Sequence, residues 1–283
     1  MSNNWTYFQA QRWASSFLGD HGKDPSAAQF ILEMLHDWSM TDLLANNRQP
    51  MPVEEATRYQ RAITRVASSE PAQYVVGKAP FFGRKFVVSR DVLIPETETE
   101  ELVEWVLDSM PADKELKVLD LGTGSGVIGI TLALERPKWQ VTLSDISAAA
   151  LKIALTNQRL HGTNLNQVES DLFARLGDQR FNLIVTNPPY VALSEIDEMD
   201  PEVLEYEPPL ALFASENGLA FYRRLFAAAG EHLTPRGVLF GETGHRQEER
   251  IQRLLKELAP SAKIETRHDI AGRMRMIKVT EFD

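Results

Sequence analysis

The chain has 283 residues, of which 43% are hydrophobic and 25% charged, a composition typical of a soluble globular protein with one large domain or two. It contains no cysteine, which excludes disulfides, thiolate catalysis and cysteine-ligated metal sites. The formal net charge of −10 disfavours stable nucleic-acid binding, and the lack of any run of about 18 apolar residues predicts a cytoplasmic protein without membrane association.

Residues 1–75 are predicted to form a helical bundle. Asp24 and Pro25 indicate a helix start before AAQFILEMLHDW, where apolar side chains recur at helical spacing. A further helix opens at Pro52. Its predicted buried face comprises Ala56, Tyr59, Ile63 and Val66.

Residues 76–95 are richer in glycine, proline and aromatic side chains. Two short extended runs around Gly83 and Arg84 predict a β-hairpin linker. From residue 96 onward, apolar strands alternate with amphipathic helices, which predicts an α/β, Rossmann-like domain with a parallel sheet covered on both faces. The closing runs KIETRHDI and MRMIKVTEF are separated only by AGR, so the last strand is expected to be antiparallel.

A glycine-rich loop separates the strand KVLDL from the helix VIGITLAL. Its residues are Gly122, Thr123, Gly124, Ser125 and Gly126. Glycines permit a tight turn and close approach of a ligand, and Asp145 at the end of the next strand is placed to bind a ribose diol. Residues 124–129 also match the dinucleotide pattern G-x-G-x-x-G, so a nicotinamide cofactor and a structural turn remain alternatives. S-adenosylmethionine is favoured because Asp120 begins a D-x-G-x-G-x-G loop and the same sheet carries the sequence NPPY at residues 187–190. This ligand has no pyrophosphate, so an acidic residue beside the loop is tolerable.

The strand FNLIVT runs directly into Asn187-Pro188-Pro189-Tyr190, at the strand end where open α/β sheets bind ligands. The Asn187 side-chain oxygen and the Pro188 carbonyl oxygen are both acceptors for an amide NH₂, and Tyr190 is suited to pack on a planar amide. These residues are the candidate catalytic and substrate-binding group. A proline-rich turn with Asn187 as a cap is the alternative interpretation.

Together these motifs resemble the release factor glutamine N5-methyltransferases. The resemblance covers nearly the whole chain, through EPAQYVVGKAPFFGRKFVVSRDVLIP, DLGTGSG, SDIS, ESDLF, TNPPYV and DIAGRMR. It implies methyl transfer from S-adenosylmethionine to the glutamine of a Gly-Gly-Gln motif in a peptide chain release factor. No metal is expected, because the six histidines show no metal-ligand spacing. It also implies a helical N-terminal domain that docks the substrate, and a monomer is expected.

The resemblance further implies a set of donor-binding residues. With Asp120 added, these are Gly122, Thr123, Gly124, Ser125, Gly126, Asp145, Asp171, Leu172 and Asn187. Asp171 and Leu172 are expected to border the adenine. The family commonly has LIPRPETE, whereas this chain has Glu96 and Thr97 in place of the arginine and proline, which changes the local charge. Glu98 keeps its place in the pattern and reaches the active site or lies as a solvated acid at a helix start.

Two rival functions use the same motifs. An amino-methyltransferase of DNA or RNA bases would use the same NPPY chemistry and requires a basic cleft. A non-catalytic protein that senses S-adenosylmethionine would bind the donor without turnover. The acidic segment SEIDEMDPEVLEYEPPLAL after NPPY is a lid, a docking loop for a basic substrate or a plain solvated loop.

Overall fold

The computed structural model describes residues 5–282. Within them the chain divides into two compact units. The first extends to Lys78 and also includes Pro201–Tyr206, and the second comprises the remainder from Ala79. The predicted division at residues 75 and 95 did not include the Pro201–Tyr206 piece. No helix in this part of the chain has the length and apolar character needed to cross a membrane.

The first unit is helical. Its helices before the linker are α1 (Tyr7–Asp20), α2 (Ala27–His36), α3 (Met40–Asn46), α4 (Val53–Ala67) and α5 (Ala72–Val76). Thr6 and Ser39 cap α1 and α3 through reciprocal side-chain hydrogen bonds. The predicted face of α4 is buried, and the Tyr59 hydroxyl donates to the Ala28 carbonyl at 2.8 Å. Apolar spacing along the helices therefore specifies the bundle.

Strands β1 (Lys78–Phe81) and β2 (Arg84–Val87) form the predicted hairpin. Both residues of its two-residue turn have a positive φ, 50° at Phe82 and 70° at Gly83, as a tight hairpin turn requires. The second unit's hydrophobic core includes Phe81 and Phe86, which are fully buried. The aromatic side chains thus anchor the hairpin.

The second unit contains a seven-stranded sheet in the order β5-β4-β3-β6-β7-β9-β8. The strands are β3 (Lys117–Leu121), β4 (Gln140–Asp145), β5 (Asn166–Glu169), β6 (Phe181–Thr186), β7 (Leu233–Glu242), β8 (Lys263–His268) and β9 (Met274–Thr280). Pairs among β3 to β7 are parallel, whereas β9 is antiparallel to both its neighbours. The predicted fold class and reversed last strand are confirmed.

Helices cover both faces of this sheet. They are α6 (Thr97–Ser109), α7 (Val127–Glu135), α8 (Ala148–Leu160), α12 (Ala220–His232) and α13 (Glu248–Leu258). One buried cluster includes apolar residues of α6 and α7, and a separate cluster includes those of α12 and α13. Because β3, β4, β6 and β7 are parallel, their carboxyl ends meet along one edge of the sheet.

The acidic segment after β6 folds into short helices. They are a 3₁₀ helix (Leu193–Glu198), α9 (Pro201–Tyr206), α10 (Pro209–Leu212) and α11 (Ser215–Gly218). Helix α9 groups with the first unit, where the Glu202 carboxylate pairs with the Lys23 ammonium. The Glu207 carboxylate instead accepts a hydrogen bond from the Ile94 amide, at 3.3 Å. The segment thus has secondary structure and contacts of its own.

Candidate active site

The backbone amides of the glycine loop are hydrogen-bonded mainly to the end of β4. The amides of Gly122 and Thr123 donate to the Ser144 carbonyl, at 2.8 and 2.9 Å, and the Gly126 amide donates to Thr123. The Gly124 amide donates to Asp145 Oδ2 at 2.8 Å. A pyrophosphate site would need such amides to be free. Four loop amides are already engaged, which disfavours the dinucleotide alternative.

The Asp120 side chain is hydrogen-bonded to the glycine loop and to helix α7. Its Oδ2 accepts hydrogen bonds from the Thr123 hydroxyl, at 2.5 Å, and from the Gly129 amide, at 2.8 Å. Complete burial raises the pKa of Asp120 to about 7, against the opposing effect of those two donors. A Cβ at Gly129 would lie 2.3 Å from the Leu143 side chain, so the helix must carry glycine where it meets the sheet.

Asp145 ends β4 at the same sheet edge. Its two oxygens accept from the amides of Gly124 and Ser147, each at 2.8 Å. Burial raises the pKa of Asp145, although these backbone donors act in the opposite direction. A carboxylate has about four lone-pair positions, so Asp145 retains capacity for a ligand diol.

A cavity of about 480 Å³ opens at the carboxyl ends of the strands. This volume lies in the range of about 300 to 1,000 Å³ that small-molecule sites occupy. Of the predicted residues, its walls include Gly122, Thr123, Gly124, Ser125, Asp145, Asp171, Leu172, Asn187 and Pro189. Asp120, Gly126, Pro188 and Tyr190 are not among the lining residues. The structure therefore places most, but not all, of the predicted site around one space.

Asp171, which is predicted to border the adenine, forms an ion pair that was not predicted from the sequence. The Arg224 guanidinium donates to Asp171 Oδ2 at 2.8 Å, and both side chains line the cavity. The two are about half exposed, which makes this a weak ion pair. Leu172 is buried and has a left-handed φ of 48°. Ile146 is an exposed apolar side chain on the same cavity wall.

Asn187 follows β6 and is fixed through its nitrogen. Its Nδ2 donates to the Thr99 hydroxyl at 3.0 Å, and that hydroxyl donates to Glu242 Oε2 at 2.7 Å. No donor within residues 5–282 reaches the Asn187 Oδ1 or the Pro188 carbonyl oxygen. Both predicted acceptors thus remain available.

Glu242 lies at the carboxyl end of β7, beside β6, and is completely buried. The Tyr190 hydroxyl donates to Glu242 Oε1 at 3.0 Å. Burial raises the pKa of Glu242 to about 8, and the negative charge of Glu96 acts in the same direction. The hydroxyls of Thr99 and Tyr190 and the charge of Arg275 act in the opposite direction.

The main chain of Tyr190 is held separately. The Gln247 side-chain amide donates to the Tyr190 carbonyl at 2.7 Å, and Gln247 Oε1 accepts from the Gly244 amide. A Cβ at Gly218, whose φ is 82°, would lie 2.1 Å from the Tyr190 carbonyl oxygen. Glycine is therefore required for this close approach.

Four residues of the site were not predicted from the sequence: Thr99, Gly218, Glu242 and Gln247. Glu242 could have been found, because it ends the strand GVLFGE at the ligand-binding sheet edge. Thr99 was visible only as part of a helix start, and nothing in the sequence pattern marked Gly218 or Gln247.

Glu96 precedes α6 at its N-cap position. Part of its side chain reaches solvent, yet burial of its carboxyl raises the pKa, and the charge of Glu98 adds to this. The positive charge of Arg275 acts in the opposite direction. Glu96 thus contributes a negative charge that acts on Glu242.

Two family models match the chain. Residues 9–77 match the PrmC N-terminal domain, and residues 102–205 match the methyltransferase small domain. The first match ends at residue 77, next to Lys78, where the main segment of the first unit ends.

Curated relatives extend over nearly the full length. The release factor glutamine methyltransferase of Lactococcus lactis is 40% identical over 257 residues, covering 91% of this chain and 94% of the relative. Its namesake from Enterococcus faecalis is 36% identical over 270 residues, covering 95% and 97%. That of Bacillus subtilis is 36% identical over 281 residues, covering 96% of each.

Solved structures share the fold at low identity. A methyltransferase from Pyrococcus furiosus superposes with a TM-score of 0.53 at 15% identity, covering 79% of this chain and 98% of the other. The T. thermophilus 16S rRNA N2 G1207 methyltransferase, solved with AdoMet and guanosine, gives 0.52 at 18% identity, covering 72% and 49%. These likenesses establish a methyltransferase fold.

Proposed function

We propose, because this chain belongs to the family of release factor glutamine methyltransferases, that its NPPY rim presents a release-factor glutamine to S-adenosylmethionine in the adjacent cavity. The protein is an enzyme of the methyltransferase class. The observation that carries the proposal is the pair of unoccupied acceptors on Asn187 and Pro188, beside a cavity that Asn187 itself lines.

The cavity residues fit the donor. At Gly124 an added Cβ would meet nothing within 4 Å, so the loop leaves open space for a ligand. Asp145 would accept the ribose hydroxyls, while Ile146 and Leu172 would pack against the adenine ring. Asp171 would receive the adenine amino group if its pairing with Arg224 leaves a lone pair available. When bound, S-adenosylmethionine supplies an electrophilic methyl group on its sulfur.

The rim compensates for a weak nucleophile. An amide nitrogen has its lone pair delocalised into the carbonyl, so it attacks carbon poorly. Asn187 Oδ1 and the Pro188 carbonyl would accept its two N–H groups and orient the lone pair toward the methyl group. The same two oxygens would stabilise the positive charge that grows on nitrogen. The proton leaves to solvent after transfer, so no strong base is required before it.

Other parts of the rim would orient the substrate. The Tyr190 ring would pack on the planar glutamine amide while its hydroxyl is held by Glu242. Pro188 and Pro189 restrict the backbone between Asn187 and Tyr190. This limits movement of the two acceptors, Asn187 Oδ1 and the Pro188 carbonyl oxygen.

We also propose that the helical first unit docks the release factor. The acidic helix α9 groups with this unit, and the chain's net charge of −10 suits a basic protein surface. Recognition of a folded surface predicts that a short Gly-Gly-Gln peptide is a poor substrate.

The test is a transfer assay with isotopically labelled donor, a purified release factor and, separately, DNA and RNA. We expect the label on the side-chain amide of the Gly-Gly-Gln glutamine, located by mass spectrometry of peptides. A release factor with that glutamine replaced by glutamate is the control and should stay unlabelled. Label on nucleic acid would instead support a base methyltransferase, and donor binding without transfer would support a sensor.

A further inference from the structure

We propose that Glu242 and Thr99 are positioning residues that determine which end of the Asn187 carboxamide faces the substrate. Glu242 accepts from Thr99, Thr99 accepts from Asn187 Nδ2, and Asn187 is left with its oxygen outward. The inference rests on the proposed function, because an outward nitrogen would repel the N–H groups of a glutamine amide.

When Glu242 is ionised, the order of protons in this chain of hydrogen bonds has one solution. An ionised carboxylate only accepts hydrogen bonds, so the single Thr99 hydroxyl proton must point to Glu242. The group on the other side of Thr99 must then be a donor. Asn187 can donate only through Nδ2, so Oδ1 lies at the opposite end of the carboxamide. The side chain is therefore oriented from within the protein.

A buried carboxylate at residue 242 lowers the stability of the fold when it is ionised, which suggests that it has a functional role. Glu242 is completely buried and, among residues 5–282, has no lysine, arginine or histidine nitrogen within ion-pair distance. A buried charge without an ion-pair partner is unfavourable. A glutamine of the same shape would avoid that cost. It would also bring an N–H donor that can face Thr99 and reverse the chain, turning the Asn187 nitrogen outward.

Glu242 also fixes the second rim residue. Its other oxygen accepts from the Tyr190 hydroxyl, and the Gln247 amide holds the Tyr190 carbonyl. The ionised Glu242 carboxylate therefore orients the Asn187 side chain and restrains Tyr190.

The test compares Thr99→Val with Thr99→Ser. Valine keeps the shape of threonine and removes the hydroxyl, whereas serine keeps the hydroxyl. With release factor as substrate, saturating donor and a pH above the Glu242 pKa of about 8, we expect Thr99→Val to lower the single-turnover transfer rate roughly 100-fold, the scale of a misplaced reacting group. Thr99→Ser should lie within about fivefold of wild type, and donor Kd should change by less than about twofold in both. A Thr99→Ser rate within this limit would show that the Asn187 side chain keeps its orientation. A donor Kd within its limit would show that the donor site is intact.

Three outcomes would decide the matter. A Thr99→Val rate within threefold of wild type, or an equal loss in Thr99→Ser, would overturn the positioning role. If wild type itself transfers no methyl group to the release-factor glutamine, the proposed function fails instead. The two failures are thus distinguishable.

A second measurement covers the case in which Thr99→Val does not fold. In protein labelled with ¹⁵N-asparagine, the Asn187 side-chain NH₂ signal is identified by its loss in Asn187→Ala. Glu242→Gln permits both orientations, so we expect this signal to shift or split and the transfer rate to fall about 10-fold or more with donor Kd retained. An unchanged signal and rate would contradict the inference.

Discussion

The donor side and the acceptor rim of the active site are built in different ways. On the donor side, Asp120 reaches Thr123 and Gly129 across 3 and 9 residues, and Gly124 reaches Asp145 across 21. On the rim, Asn187 and Thr99 are 88 residues apart, and Thr99 and Glu242 are 143 apart. The donor site is a local arrangement of backbone amides, whereas the rim is assembled by side chains from distant segments. Damage to one should spare the other.

Asn187→Ala is expected to give the largest difference between the effect on the acceptor rim, measured as kcat, and the effect on the donor side, measured as donor Kd. Loss of the carboxamide removes an acceptor for the glutamine N–H, and such deletions cost about 10²- to 10³-fold in kcat. Donor Kd should change little, because the loop and Asp145 are intact. Single-turnover kinetics with calorimetric donor titration checks both quantities, and near-normal turnover would refute the assigned role.

Gly218→Ala and Gly124→Ala form a matched pair. Both place a side chain at a positive φ, but the Gly218 Cβ meets the Tyr190 carbonyl at 2.1 Å and the Gly124 Cβ meets nothing. We expect Gly218→Ala to lose about 1 to 3 kcal/mol more stability, from overpacking, and to lower kcat. Gly124→Ala should mainly raise donor Kd, because it fills the cavity wall. Denaturant unfolding would measure the loss of stability and donor titration the change in donor Kd. Equal changes in the two variants would contradict the comparison.

The pH dependence of the rim should differ from that of the donor site. Only ionised Glu242 accepts from both Thr99 and Tyr190, so kcat should rise with pH through the Glu242 pKa of about 8. The facing groups are Glu96 at the start of α6, Arg275 on β9, Tyr190 on the rim and Tyr222 on α12. Because Glu96 raises the Glu242 pKa, Glu96→Gln should move the rise to lower pH. A profile that does not move would argue against this coupling.

Stability should follow the opposite trend at this residue. A folded-state pKa above the unfolded value of 4.5 means that the protonated form stabilises the fold below that value. This contribution is lost as pH rises toward about 8. Glu242→Gln should therefore reduce the fall in Tm between pH 5 and 8.5, relative to wild type. An identical fall in both proteins would show that Glu242 does not titrate in this range.

The smallest effect is expected for Arg224→Ala. Its ion pair with Asp171 is about half exposed, so its loss should cost no more than about 1 kcal/mol of stability. Donor Kd should change only a few-fold, because Asp145 and the loop still hold the ligand. A loss of Kd greater than about 30-fold, measured by titration, would show that Arg224 has a direct role at the donor site.

The donor side could be predicted from the sequence more completely than the contacts that support the acceptor rim. The glycine loop, Asp145 and NPPY are contiguous motifs at strand ends, so they can be located from the sequence alone, as can the parallel sheet and the reversed β9. Thr99 and Glu242 become neighbours only after a 143-residue separation is closed by folding. Pro201–Tyr206 grouping with the first unit has the same origin. No local pattern encodes such pairings, because they depend on the tertiary fold.

A crystal structure of the enzyme with the demethylated donor and a release factor would show directly how the rim holds the glutamine. We expect the glutamine side-chain nitrogen to lie within about 3.2 Å of both Asn187 Oδ1 and the Pro188 carbonyl oxygen. We also expect the donor sulfur on the side of that nitrogen facing the glycine loop. A glutamine nitrogen with neither oxygen in hydrogen-bond reach, or a donor sulfur turned away from the rim, would contradict the proposed function.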